Sequence, residues 1–359
     1  MKLYRLLIIF LLIQFYNFSK AQQSKILTAE KHNEYGLIYT LPVTAFEVEV
    51  VSERQIKKAG PFYQYAKKYV GTDKVVKEDA ETWIIKEVNI KPYGIPDPDS
   101  RYLMQLKPGA VTYIAVDKDG MLLAINETPE VINEEVSVKS SIPSGTSFPE
   151  DFLKYVGEDY MAAQSSAKRA QILAEELMEV RDSKVSLARG TADVMPTDGR
   201  QLELMLNSLE NQEAALMAAF TGSVSTETII RKFNFIPEKE GRTILFRMSD
   251  FAGPVEANNY AGAPVYMDVK IVSEGELPVD SKGEEKKMPK DAVAYCVPGS
   301  ARLSLSYRGE QLASKEFDVA QFGIIFGLNP SLFTDKKDPS FAIFDPTTGA
   351  VKEIGKVKE

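Results

Sequence analysis

The chain has 359 residues, 44% of them hydrophobic and 26% charged, with a formal net charge of −8. That length exceeds a single compact core and suits two or three packed units. A negative balance without a basic cluster interleaved with aromatics speaks against a nucleic-acid partner, because such a surface repels phosphate backbones.

The first residues, MKLYRLLIIFLLIQFYNFSKAQQ, read as an export signal. Lys2 and Arg5 form a positive start, and Leu6 to Ile13 an unbroken apolar run. Ser19-Lys20-Ala21 then puts small residues at the −3 and −1 positions of a signal-peptidase site. The apolar run is far shorter than the roughly 20 residues that span a bilayer, which favours cleavage over a retained anchor. Cleavage after Ala21 makes residues 1–21 the signal and Gln22 the first mature residue. Lys2, Arg5 and Lys20 leave with it, so 40 basic residues would face 51 acidic ones. Cys296 is the only cysteine. Its distance from the cleavage site closes the lipoprotein route, and one thiol makes no internal disulfide. The expected location is the periplasm or the cell surface, with no transmembrane anchor in the mature chain.

Residues 22–139 read as a mainly antiparallel β-rich domain. Phe46, Val48 and Val50 alternate with Glu47 and Glu49, the period of a strand with one wet face. Thr82 to Ile90 is rich in β-branched and aromatic residues. Val111–Val116 and Met121–Ile125 flank Asp117-Lys118-Asp119-Gly120, a hairpin turn with Gly120 at positive φ. Pro61 to Gly71 carries the start and stop residues of a short helix, whose Phe62, Tyr65 and Tyr69 would share a face and pack on the sheet.

Residues 140–149, rich in Ser, Pro, Gly and Thr, read as a linker. The period then changes, and 150–222 reads as a helical hairpin. Asp151 to about Leu187 has Leu173, Leu177 and Val180 at helical spacing. Pro196-Thr197-Asp198-Gly199 supplies capping residues for a second helix. Its Leu202, Met205, Leu206, Leu209, Leu216 and Phe220 form one apolar face, which the fold must bury, and Gly222 ends it.

Residues 223–359 read as a second β-rich domain, an antiparallel sandwich-like unit. Ala301, Leu303, Leu305 and Tyr307 alternate with polar residues, and Arg308-Gly309-Glu310 turns the chain into Leu312–Val319. Thr228–Ile236, Thr243–Met248 and Val265–Val272 are further strands, and the charged stretch from Gly275 to Lys290 reads as a loop. The fold class is therefore α+β.

Four strings in this order, TLPVTAFEVEV, AGPFYQYAKKYVG, VRDSKVSLARGTADVMPTDG and LNSLENQEAALMAAFTG, carry a family resemblance. The chain resembles domain of unknown function 4831, an uncharacterised family of exported proteins of Bacteroides-type Gram-negative bacteria. The resemblance spans nearly the whole mature chain. It implies an envelope or secreted location, and it brings no catalytic residue, ligand or cofactor.

The residues themselves narrow the chemistry. His32 is the sole histidine, near the expected mature N-terminus, where a Ser-His-Asp triad is a poor prospect. One His and one Cys cannot form the usual zinc sets, and HExxH, P-loop and GxGxxG patterns are absent. No metal site, cofactor or catalytic residue is therefore assigned. Carboxylate chemistry needs only two acidic side chains; Asp97-Pro98-Asp99 and Asp117-Lys118-Asp119 are the pairs in view, both in turn contexts. Ser165-Ser166-Ala167-Lys168 matches an SxxK string without its companion motifs. Asn126-Glu127-Thr128 fits a glycosylation sequon.

Binding candidates are the aromatics Trp83, Tyr93 and Tyr102, which could line a glycan or protein contact surface. For Trp83, an anchor in the N-terminal core is the competing role, given its neighbours Ile84, Ile85 and Val88. The function expected is a non-catalytic exported envelope protein that binds an envelope protein or glycan, or supports assembly. A carboxylate-based glycan hydrolase is the alternative.

Overall fold

Alternating patterns make strands, and here they make long ones. The computed structural model describes residues 27–28, 37–104, 113–129, 146–289, 291–335 and 337–357. The signal read over 1–21, His32 and most of the 140–149 linker lie outside the described residues. The first strands are β1 (Leu27–Thr28), β2 (Leu37–Lys58), β3 (Ala80–Met104), β4 (Ile114–Val116) and β5 (Leu122–Ile125). Next come β6 (Ser223–Phe235), β7 (Gly241–Ser249), β8 (Gly253–Glu256) and β9 (Ala263–Ser273). The last are β10 (Val293–Tyr307), β11 (Glu310–Leu328), β12 (Ser340–Phe344) and β13 (Val351–Lys356). The helices are α1 (Ala66–Tyr69), α2 (Glu158–Ala162), α3 (Ser166–Arg189), α4 (Gly199–Thr221) and α5 (Ser331–Thr334).

Three antiparallel sheets result. A three-stranded sheet in the order β3-β2-β6 faces a five-stranded one in the order β11-β10-β9-β7-β8. Their inner faces share one core containing Phe46, Val48, Val50, Phe246, Met267 and Leu303. Phe233 and Phe246 stack across it with ring centroids 4.5 Å apart. The expected alternation holds: Phe46, Val48 and Val50 are buried, whereas Glu47 and Glu49 lie on the wet face near Lys232. The β10–β11 turn carries two consecutive positive φ angles, Arg308 at 50° and Gly309 at 86°, the twist that a tight hairpin requires. Gly120, at φ 83°, closes the β4–β5 turn in the same region of conformation.

The third sheet runs β1-β4-β5-β12-β13 and closes a second core around Leu41, Ile125, Phe333 and Phe344. Tyr39 ties it to β10 by donating its hydroxyl to the Ala294 carbonyl at 2.9 Å. Both β-rich segments contribute to two of the sheets. β2 pairs with β6 from Phe46↔Phe235 to Lys58↔Ser223, and β5 pairs with β12. Hydrogen-bonded ladders thus cross the positions, 139 and 223, at which the sequence reading divides these segments.

Between them stand the helices. The Ser165 hydroxyl caps α3 by accepting from the Lys168 amide, and Asp198 caps α4 by accepting from the Gln201 amide at 2.7 Å. Gly190 at φ 71° ends α3, and α4 returns antiparallel against it. The continuous helix expected from Asp151 divides. Extended backbone at Gly157 and at the Ser165 cap separates a 3₁₀ turn (Phe152–Tyr155) and α2 from α3.

The Pro61–Gly71 helix also departs from expectation. It forms as a 3₁₀ turn (Tyr63–Tyr65) followed by α1, and its aromatics pack on the helices instead of the sheet. The Phe62 amide donates to the Ala219 carbonyl of α4, which brings the Phe62 ring within 6.2 Å of Phe220 and 6.4 Å of Tyr160.

Candidate functional site

The three aromatics singled out in the sequence all lie on β3, and the structure does not bring them together. A strand rises about 3.3 Å per residue, so Trp83, Tyr93 and Tyr102 are spread over roughly 60 Å of contour. A bulge at Lys86, where Val51↔Glu87 is followed by Ser52↔Ile85, also shifts the alternation. Trp83 then faces the sandwich core, and Tyr93, opposite Ala45, faces the other way.

Trp83 packs against the sandwich core. Its ring lies flat on Gly253, where a Cβ would sit 2.5 Å from a ring carbon and where φ is 68°, so glycine is required twice over. The Arg54 guanidinium lies 5.8 Å from the ring centroid and is forked onto Glu81 at 2.8 and 3.1 Å. The indole Nε1 is buried without a hydrogen bond of ordinary geometry, yet it helps Arg54, the larger influence, hold the Glu81 carboxyl below its usual range. Tyr102 packs against Tyr39 in the second core, the rings tilted by 34° with 5.9 Å between centroids, and burial raises its hydroxyl pKa. Trp83 and Tyr102 thus each pack against a core.

The polar motifs have structural duties as well. Asp97 accepts from the Asp99 amide and the Ser100 hydroxyl, and Asp117 accepts from the Asp119 and Met121 amides. Both are side chains bonding their own turns. Ser165 of the SxxK string is the α3 cap. Asn126 sits at φ 58° and donates to the carbonyls of Phe333 and Ser340, fastening β5 to the chain's last third. Cys296 is buried beside the Ala320 carbonyl, and burial pushes its thiol up to about 12. No group of three or more His, Cys, Asp or Glu side chains suited to a metal ion is found among the described residues.

A different region stands out: the far end of the helical hairpin. Near the sheets, α3 and α4 bury Leu173, Leu177, Leu216 and Phe220 under Phe62 and Tyr160. Further out, burial thins to Val180 and Leu187 of α3. The apolar face expected to be buried along all of α4 is therefore buried only in its C-terminal half. Leu216 and Phe220 are 0% exposed, Leu206 and Leu209 are half-buried, and Met205 is 37% exposed.

Around that open end Val194 is 79% exposed and Leu204 63%, and Val185 and Met195 are exposed too. A shallow groove of about 630 Å³ runs between Leu187, Val194, Met205 and Leu209. Sequence reasoning missed Val194, Met195 and Leu204. The signal was present: Val194-Met195 puts two large apolar residues in an inter-helix turn. Leu204, two residues from Leu202, projects about 200° away from it and so off the stripe.

The model of one family, a domain of unknown function (DUF4831), matches residues 35–352. The chain belongs to this family. The match opens just before β2 and ends within β13, so the DUF4831 unit includes the sandwich, the hairpin and nearly all of the third sheet. No curated protein and no solved structure matches the chain. Within the DUF4831 fold, no helix among the described residues is long and apolar enough to cross a membrane.

Proposed function

We propose that this DUF4831 protein is a non-catalytic exported protein of the cell envelope that docks onto an envelope partner through the tip of its helical hairpin. The observation that carries the reading is the exposed apolar end of the hairpin, Val194, Leu204 and Met205 together with Val185. Val194 and Met205 line one groove with Leu187 and Leu209, and exposed apolar side chains gathered at one end of an element mark interaction surfaces, because their exposure costs free energy that a partner recovers. The signal-like residues 1–21 support export. The duties of Asp97 and Asp117 in their own turns support a binding role over carboxylate hydrolysis.

Fractionation of cells that make the full chain tests this. The wild-type protein should begin at Gln22 and sediment with the envelope. A Val194→Asp/Leu204→Asp variant, altered only at exposed positions, should keep its melting temperature and move to the soluble exported fraction. A variant that still sediments like wild type, or an uncleaved chain in the cytoplasm, would overturn the proposal.

A further inference from the structure

The outer face of the five-stranded sheet carries a second and independent surface. Side chains at alternate positions of β9 point away from the core, and their cross-strand partners line up in rows. Tyr266 sits beside Ser306; Asp268 lies between Arg242 and Ser304; Lys270 pairs with Arg302. Pro264, across from Arg247, begins the series, so from there to Lys270 the face is roughly 20 Å long.

Two aromatic rings on this face are held in place and still open. Tyr260 is 86% exposed, an unusual state for a large ring. It is not loose, because the Arg247 guanidinium lies 5.0 Å from its centroid. Arg247 is itself fixed by donating to the carbonyls of Ala257 at 2.8 Å and Gly262 at 3.1 Å. Tyr266 repeats the device: Arg242 lies 5.2 Å from its centroid and is forked onto Asp268 at 2.7 and 3.0 Å. Each ring has one face braced by a cation, which leaves the other for a ligand.

The charges around the rings are uneven. Arg242 is neutralised by Asp268, and Arg302 by Glu316 at 3.2 Å. Arg247 and Lys270, at the two ends of the face, make no ion pair among the described residues. Between them stand neutral donors and acceptors, with the Ser304 and Ser314 hydroxyls 2.8 Å apart, and Asp318, opposite Ser300, joins Asp268 and Glu316 on the outward rows. In a chain of formal charge −8, this hydroxyl-bearing face with two braced rings thus sets the cations Arg242, Arg247, Lys270 and Arg302 against three carboxylates.

We infer that this face binds an extended acidic polysaccharide. Sugar rings offer C–H faces that stack on tyrosines and hydroxyls that bond to serines, and carboxylates along the chain complement Arg247 and Lys270.

Native electrophoresis of the full mature protein in gels containing polygalacturonate tests the inference, with plain gels and gels containing neutral laminarin beside them. Polygalacturonate should retard the protein and laminarin should not. Tyr260→Ala and Lys270→Glu, both at exposed positions, should each weaken the retardation by about fivefold or more. The hairpin variant Val194→Asp/Leu204→Asp should be retarded like wild type, which separates this surface from the docking tip. Absence of retardation by polygalacturonate, equal retardation by laminarin, or unchanged retardation of Tyr260→Ala and Lys270→Glu would overturn it.

Discussion

Leu206 and Leu216 belong to the same apolar stripe of α4, but their surroundings differ. Leu216 is fully buried among Phe62, Leu173 and Phe220, and Leu206 is half-buried and outside that cluster. Leu216→Ala should therefore cost about 2–5 kcal/mol, the range for a buried leucine that leaves a cavity. Leu206→Ala should cost about 1 kcal/mol or less. Urea denaturation of the two variants measures the difference, and equal losses would mean that the stripe is covered along its whole length. The stripe itself could be read from the spacing of its leucines. Where the cover stops could not, because the covering rings of Phe62 and Tyr160 come from other parts of the chain. Trp83 was legible as a core candidate from its apolar neighbours. The bracing of Tyr260 by Arg247 was not, since neither residue's spacing hints at the contact.

The hairpin as an element is held by more than its stripe. Glu213 on α4 accepts from Lys184 at 2.9 Å and from Arg181 at 2.8 Å, both on α3. These cations, Lys184 first, keep the Glu213 carboxyl below its ordinary value of 4.5. A depressed carboxylate contributes stability that is present above the unfolded pKa and is lost as pH falls through the folded one. Glu213→Gln should therefore lower the melting temperature modestly at pH 7, and the difference should shrink as the pH falls below 4.5 and through the folded-state value. Melting curves of both proteins from pH 7 into the acid range provide the check, and a gap that does not shrink on acidification would show that the contribution is not electrostatic. Elements of this kind were the most legible part of the chain. The second long helix and its Asp198 cap follow from local chemistry, as do the β4–β5 and β10–β11 turns. The break between the 3₁₀ turn, α2 and α3 was hidden, because Gly157 and Ser165 interrupt a segment whose composition otherwise favours one helix.

At the scale of the whole molecule, the pairings that matter most join residues far apart in sequence. β2 lies between β3 and β6, and β5 lies against β12. Alternation reveals that a strand has a wet face but not which distant strand it joins, so the three-sheet arrangement was beyond sequence reading. Its consequence is a β body joined to a helical hairpin whose α4 is buried only in its C-terminal half, next to the sheets. Local stability should follow that gradient, since amides under few tertiary contacts open most readily. Hydrogen exchange followed by mass spectrometry on the isolated protein tests the uncovered tip most directly. Peptides covering 183–189 and 199–207 should exchange about a hundredfold faster than those covering 170–180 and 213–221. Protection at the tip equal to that around Leu173 and Leu216 would contradict the account, because a tip already covered has no apolar surface to offer a partner.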